Sequence, residues 1–588
     1  MPDDSDLDSN VGSWRSIVTL VVFVLTNIVV LFPFHIPILV PKSLWNTAQS
    51  ALCACRVIPR TPRTPRHDHE CTGAVHGHHQ RPSSFVRFRF PMNFVTAPLI
   101  ADLFLLAILA IGRKEVHDGT VGTNNIFPID IMAFFLTLAY IAISIDASGL
   151  IRYLAFKVLQ KAGKNGQRLF LYLYIFFFGL ASFIGNDPII LSGTAFLAYM
   201  TRVSSNIKHP RAWIHTQFAV ANIGSAILVT SNPTNLVLAG AFNIKFIHYT
   251  ANIIVPVVAT AILLFPFLLW IVFPSKEEIP LKIELHELPE GLQGKPKNPN
   301  IPYVRENAER EENNGEQGKR LSLEEIMNPF LDKGGAAFGA VIMAATLITI
   351  VALNAASQSS GEHPVYWVTL PAAFVMFCWD IWFGWMHREE TREIARDGRR
   401  RALQAKEAAR ATEDREQEDG QGTNDPTATG KDTMPDDHHS SDGSVGRKDA
   451  ALGQPVLVED QEVGLGPSDR TPNASLQSPT STPNGNAFDE KALGSAEDDQ
   501  EASTLVSLTL QAYRWLQETF PTATAVAAHL PFALVPFALA MFVLVQALVT
   551  RGWVPVFAHG WDHWVDKTGT VGAIGGMAFL SVIMCNVS

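Results

Sequence analysis

Eight stretches of this chain, Ile17–Phe34, Phe94–Ile111, Ile129–Ile145, Leu169–Ile184, Ile253–Phe273, Ala336–Ala356, Val365–Trp385 and Leu530–Val549, are mostly uncharged. Each lies near the ~20 residues that a helix needs to cross a bilayer. The chain is 47% hydrophobic although it also carries long polar tracts, so its apolar residues are concentrated in these runs. An all-α polytopic membrane protein follows. Asp3, Asp4, Asp6 and Asp8 precede the first run and no small-residue cleavage site ends it, so it reads as a retained membrane helix and not a signal peptide.

Polar tracts divide the rest. The sequence predicts an extracytoplasmic N-terminus at 1–16, a first membrane helix at 17–40 and a basic cytoplasmic linker at 43–92. A first repeat core follows at 93–274, a polar cytoplasmic loop at 275–334 and two membrane helices at 335–386. The tract at 387–504, rich in Glu, Asp, Ser, Gly and Pro, has too little apolar surface to offset ordering entropy and is expected to be disordered. A helix at Leu505–Phe520, either lying in the membrane interface or packed as a scaffold arm against other spans, then a membrane helix and a second hairpin complete 505–588. The arginines from Arg56 to Arg89 and the cluster Arg152, Lys157, Lys161, Lys164 and Arg168 set their segments on the cytoplasmic side. The net charge of −10 arises in the polar tracts, and nothing in it suggests nucleic acid.

Between Arg168 and Arg202 both flanks are basic, yet FIGNDPIILSGT (Phe183–Thr194) breaks the apolar run. Two limbs of about 24 Å each would fall short of a ~30 Å crossing, so a re-entrant hairpin at 169–201 is expected. Non-helical backbone at that depth is tolerated where it is buried in protein or lines a wet cavity. A second break, TSNPTN (Thr230–Asn235), interrupts the helix expected over 212–242. Paired broken helices point to a midplane site, with helix N-termini facing an anion and freed carbonyls a cation. The candidate ligands are Asn186, Asp187, Ser192, Thr194, Ser231, Asn232, Thr234 and Asn235, whose amides and hydroxyls both donate and accept. Asp187, a carboxylate in a membrane segment, is assigned to a coupling cation or proton. Asp102 reads as a relay or the partner of a basic residue, and Asp146 as a local ion pair with Arg152.

The second half repeats the first. Pro128–Leu150 aligns with Pro531–Trp553, matching Gly149 to Gly552, and Gly179–Asp187 aligns with Phe579–Val587, matching Asn186 to Asn586. An odd number of crossings before the second half inverts it, which makes this an inverted-repeat secondary-transporter pattern. IGNDPIILSGT, the basic loop after it and TSNPTNLVLAG together resemble the ion transporter superfamily, in its citrate-transporter-like, arsenite-permease and NhaD-type antiporter branch. The resemblance implies a rocking or elevator-like carrier whose second half-site begins with Asn586 and Ser588. Two residues follow Asn586, so the second repeat is expected to be incomplete, its hairpin lacking a return limb.

The function expected is secondary active transport of a small carboxylate, oxyanion or metalloid such as arsenite, coupled to H⁺ or Na⁺, with no other cofactor. A Na⁺/H⁺ antiporter is the alternative, and a non-transporting membrane scaffold or inactive remnant is the alternative of another class. No Ser/His pair or HExxH motif on the spans suggests an enzyme. Cys53, Cys55, Cys71 and the histidines from His67 to His79 match no zinc spacing, so no metal site is assigned, and the five cysteines form no disulfide framework. The partners expected are the bilayer and a small ion or molecule; a homodimer and partners for the loop at 387–504 stay open, as does the choice between plasma and vacuolar membrane.

Overall fold

The computed structural model describes residues 11–57, 85–123, 125–204, 207, 209–283, 297–304, 329–356, 364–421 and 504–587. Helix α1 (Trp14–Leu31) leads into strand β1 (Phe34–Pro41) and helix α2 (Lys42–Ala54), and strand β2 (Phe85–Met92) precedes α3 (Thr96–Ala107) and α4 (Arg113–Thr120). The first core continues as α5 (Pro128–Ala147), α6 (Leu150–Ala162), α7 (Gly166–Ile184), α8 (Asn186–Val203) and α9 (Arg211–Gly224). A 3₁₀ turn at Val229–Ser231, then α10 (Pro233–Ala241) and α11 (Phe246–Phe267), close it. Beyond lie α12 (Lys333–Ala356), α13 (Tyr366–Met386), α14 (Arg388–Gln421), α15 (Leu505–Thr519), α16 (Pro521–His529), α17 (Leu534–Thr550) and α18 (Trp553–Val587). Among the described residues seven helical segments are long and apolar enough to cross a membrane, and the protein is an integral, multi-pass membrane protein.

One compact unit holds residues 1–408 and 504–588; of the other, 409–503, only the backbone to Gln421 is described. Within the first unit, α6–α9 bury Ile151, Phe170, Phe177, Leu197 and Trp213, with Phe170 edge-on to Trp213 at 5.3 Å. A second cluster joins α5 to α11, α12, α13 and α16 around Phe134, Ile141, Tyr249, Met376 and Val526. The third, Ala101, Leu105, Val543 and Leu544, packs α3 on α17 beside α1. Asp332 N donates to Ser148 O at 2.9 Å, so α12 starts where α5 ends. Thr137 meets Thr369 at 2.7 Å and Ser144 meets Asp380, so α5 and α13 run in the same direction.

Several expectations change. The run at 94–111 yields a helix of 12 residues, about 18 Å, because the chain turns at Leu109 (φ 58°). The first membrane helix, expected over 17–40, stops at Leu31, and Phe34–Pro41 instead forms β1, which pairs antiparallel with β2 from the linker at 43–92, Phe34 opposite Met92 and Pro41 opposite Phe85. Alternation in FVRFRF is a strand signal that its arginine content obscured. The tract from 387 opens as a helix of 34 residues, rich in Ala, Glu and Arg, which are strong helix formers. Its Arg392 donates to Thr519 at 2.8 Å and Arg399 pairs with Glu518, so α15 packs on protein through that face. The remainder, 422–503, lies outside the described residues, as does the Cys/His stretch at 58–84.

Two glycines matched in the sequence share a conformation. Gly149 ends α5 at φ 85° and Gly552 ends α17 at φ 82°. Each N–H bonds the carbonyl three residues back, Gly149 to Asp146 at 2.8 Å and Gly552 to Val549 at 3.1 Å. The next glycine turns also agree, at Gly163 (φ 66°, ψ −147°) before α7 and Gly569 (φ 64°, ψ −163°) within α18. A Cβ at Gly149 would also collide with the Phe330 carbonyl, whereas one at Gly179, inside α7, would meet nothing. Gly149→Ala is therefore expected to lose about 1 kcal/mol or more of stability and Gly179→Ala to gain roughly 0.5–1 kcal/mol, read as opposite shifts of the melting temperature in detergent.

Candidate functional site

The hairpin break falls at Gly185 (φ 100°, ψ 165°), one residue before the Asn-Asp-Pro expected to make it. Asn186, Asp187 and Pro188 instead form the first turn of α8, where proline's missing N–H leaves no bond unmade. The limbs α7 and α8 are 19 and 18 residues, about 28 and 27 Å, longer than the 24 Å expected, and α7 is long enough to cross. The second break is built alike. Asn232 caps α10, its Oδ1 accepting from Thr234 N at 2.9 Å, and Pro233 is the first helical residue.

These two breaks touch. Ser231 Oγ donates to Ser182 O at 2.5 Å, in the last turn of α7. Gly185 packs against the Ser231 carbonyl, which a Cβ would approach to 2.9 Å. The N-termini of α8 and α10 therefore begin side by side, each presenting the positive end of a helix dipole, although at α10 the first N–H groups are already taken, Thr234 N by Asn232 Oδ1 and Asn235 N by Asn232 O. Asn186 Nδ2 donates to Asn222 Oδ1 on α9 at 3.0 Å. Asp187 is exposed and has no hydrogen-bond partner among the described residues. The arrangement sets two positive helix ends beside one open carboxylate, Asp187.

The other candidates divide by role. Asn235 is buried and its amide donates to the carbonyls of Ser225 and Leu228, both at 2.9 Å, so it staples the unwound segment and is not open to a solute. Thr194 donates to Gln217 Oε1 at 2.9 Å, and Ser192 to Asp146. Asp146, read from the sequence as a local partner of Arg152, thus ties the end of α5 to the second limb. Asn232 is half-buried and Thr234 exposed beside the break. Asn586 lies in the last turn of α18, described for backbone only, and Ser588 lies outside the described residues.

Sequence reading missed three residues. Gln217, 1% exposed, donates to Ile189 O at 2.6 Å and to Ile190 O at 3.3 Å. Asn222 accepts from Asn186. Asp380 on α13 takes hydrogen bonds from Tyr140 at 2.9 Å and from Ser144 at 3.0 and 2.8 Å. A carboxylate in the middle of the run at Val365–Trp385 is the signal that could have found Asp380. Asp102 is buried on α3, its Oδ1 without a hydrogen-bond partner, and no basic group pairs with it among the described residues. These described residues also hold no group of three or more His, Cys, Asp or Glu able to bind a metal ion.

The sequence model described as citrate transporter matches residues 85–588. An arsenical pump membrane protein of Escherichia coli is 25% identical over 185 residues, 31% of this chain and 42% of that protein. A second from Escherichia coli is 26% identical over 180 residues, and one from Shigella flexneri 25% over 180, each covering 30% of this chain and 41% of the relative. The chain thus spans about two fifths of the length of the curated relatives that it matches.

Removing the Asn235 amide leaves two buried carbonyls unpaired, at about 1–3 kcal/mol each. Asn235→Ala should lower the melting temperature in detergent, and Asn235→Asp, which keeps the shape but loses the N–H donors, should lower it as well.

Proposed function

This chain belongs to the citrate transporter family, and from that premise we propose that it is a secondary active transporter of a small carboxylate, oxyanion or metalloid such as arsenite. The observation that carries the reading is the junction of the two breaks, where α8 and α10 begin beside each other at Gly185 and Ser231. Helix N-termini stabilise negative charge through free N–H groups and the dipole. Both broken helices belong to one half of the chain and together make a half-site of the kind that a corresponding pair in the other repeat completes. The likeness to relatives named arsenical pump membrane proteins supports a metalloid among the solutes.

Asn186, Ser231, Asn232 and Thr234 supply the donors and acceptors around the solute, and Asp187 takes the coupling ion, H⁺ or Na⁺. Thr194 and Ser192 serve by holding α8 in place through Gln217 and Asp146. Asn235 serves by closing the unwound backbone.

The test is uptake by proteoliposomes of the full chain, offered citrate, other small carboxylates or arsenite under an imposed pH or Na⁺ gradient. Accumulation of at least one solute above protein-free vesicles is expected, and accumulation of none under either gradient would overturn the reading. In Asp187→Asn the gradient-driven accumulation is expected to fall about tenfold or more. Wild-type accumulation in that variant would remove Asp187 from the coupling role.

A further inference from the structure

We propose that Asp380 binds and releases a proton in a closed site between α5 and α13, with Tyr140 and Ser144 as the groups that solvate it in both states. The inference rests on the transport reading above for its use, though not for its chemistry.

Asp380 is 4% exposed, Ser144 1% and Tyr140 9%. Phe377 meets the Tyr140 ring edge-on at 6.0 Å beside the site. No Lys, Arg or His pairs with Asp380 among the described residues. A lone buried carboxylate without a counter-charge is costly at this depth, whereas the neutral acid is not. The two hydroxyls fit both forms. Each donates to the ionised carboxylate, and each has lone pairs to accept the O–H of the acid once its own hydrogen rotates away. Ser144 can turn its proton to a carbonyl one turn back on α5, as Thr137 does toward Ala133 O at 2.7 Å. Loading and unloading a proton therefore leaves no buried polar group without a partner.

The charged and titratable groups around the site are few. From α5 there is Tyr140, and from α13 itself Cys378, which is exposed. Asp332 lies just before α12, and Lys333 beside it is exposed. Helix α16 carries His529 alone, at the opposite end from its Phe520 contact with Gly384. Ser144 lies in the last turn of α5, and Asp380 stands two turns before the end of α13, so the carboxyl sits near the same end of both helices. Two residues beyond Ser144, Asp146 accepts from Ser192 on the hairpin limb. One helix thus touches both the buried carboxyl and the broken-helix site.

The experiment follows the infrared C=O stretch of protonated carboxyls in the purified full chain as pH is varied. The expected result is a buried-carboxyl band that is lost in Asp380→Asn and moves to higher frequency in Tyr140→Phe, where the carbonyl loses a donor. Should Asp380→Asn fail to fold, the Tyr140→Phe displacement carries the test. A spectrum with no band sensitive to either change would overturn the proposal. In proteoliposomes under a pH gradient, loss of solute accumulation is expected in Asp380→Asn. Wild-type accumulation in that variant would sink the proton role and leave transport standing. Wild-type vesicles that carry no solute would instead sink the transport reading, and the infrared band would still decide Asp380.

Discussion

Every backbone N–H and C=O in the apolar interior must find a partner within the protein, and the rest of this structure is arranged around that demand. Uninterrupted helices meet it locally. Where a helix stops at Gly185 or at Thr230–Asn232, side chains take over. Asn235 caps two carbonyls of the unwound turn, Ser231 bonds the end of α7, and Gln217 reaches carbonyls in the first turns of α8. The breaks can stay open to a solute at their N-terminal ends because their other groups are already satisfied.

Three acidic groups, two in the first core and one on α13, differ in the same way. Asp146 is held by Ser192 at the end of α5 and serves as a tether. Asp380 is enclosed with two hydroxyl donors and, among the described residues, no paired cation. Asp187 is exposed at the start of α8 with no hydrogen-bond partner among the described residues. Identical chemistry thus serves three ends, set by what each carboxylate can reach: a hydroxyl on a neighbouring limb, a closed polar niche, or open space beside two helix N-termini.

Helix α5 is the element on which these parts meet. One face carries Thr137, Tyr140 and Ser144 toward α13, and its end carries Asp146 toward α8. Gly149 then turns the chain at a positive φ, a conformation that the second half repeats at Gly552. Because α5 and α13 run in the same direction, the basic residues that follow them, Arg152 and Arg388, fall at the same end of the pair.

The sequence by itself determined the membrane character, nearly all of the spans and the two breaks, because hydropathy, proline and capping residues act within a few positions of the chain. It also exposed the Gly149–Gly552 correspondence, since a left-handed turn tolerates little else. It did not reveal the β1–β2 ribbon, where arginine content masked a two-residue alternation, or the helix at Arg388–Gln421, where polarity was taken for disorder. Tertiary structure alone decided that Asn235 is a staple while Asn186 faces Asn222, that Gln217 supports α8, and that Asp380 meets Tyr140 and Ser144 from more than two hundred positions away. A side chain's type is written locally, but its role depends on partners that only packing brings within hydrogen-bond reach.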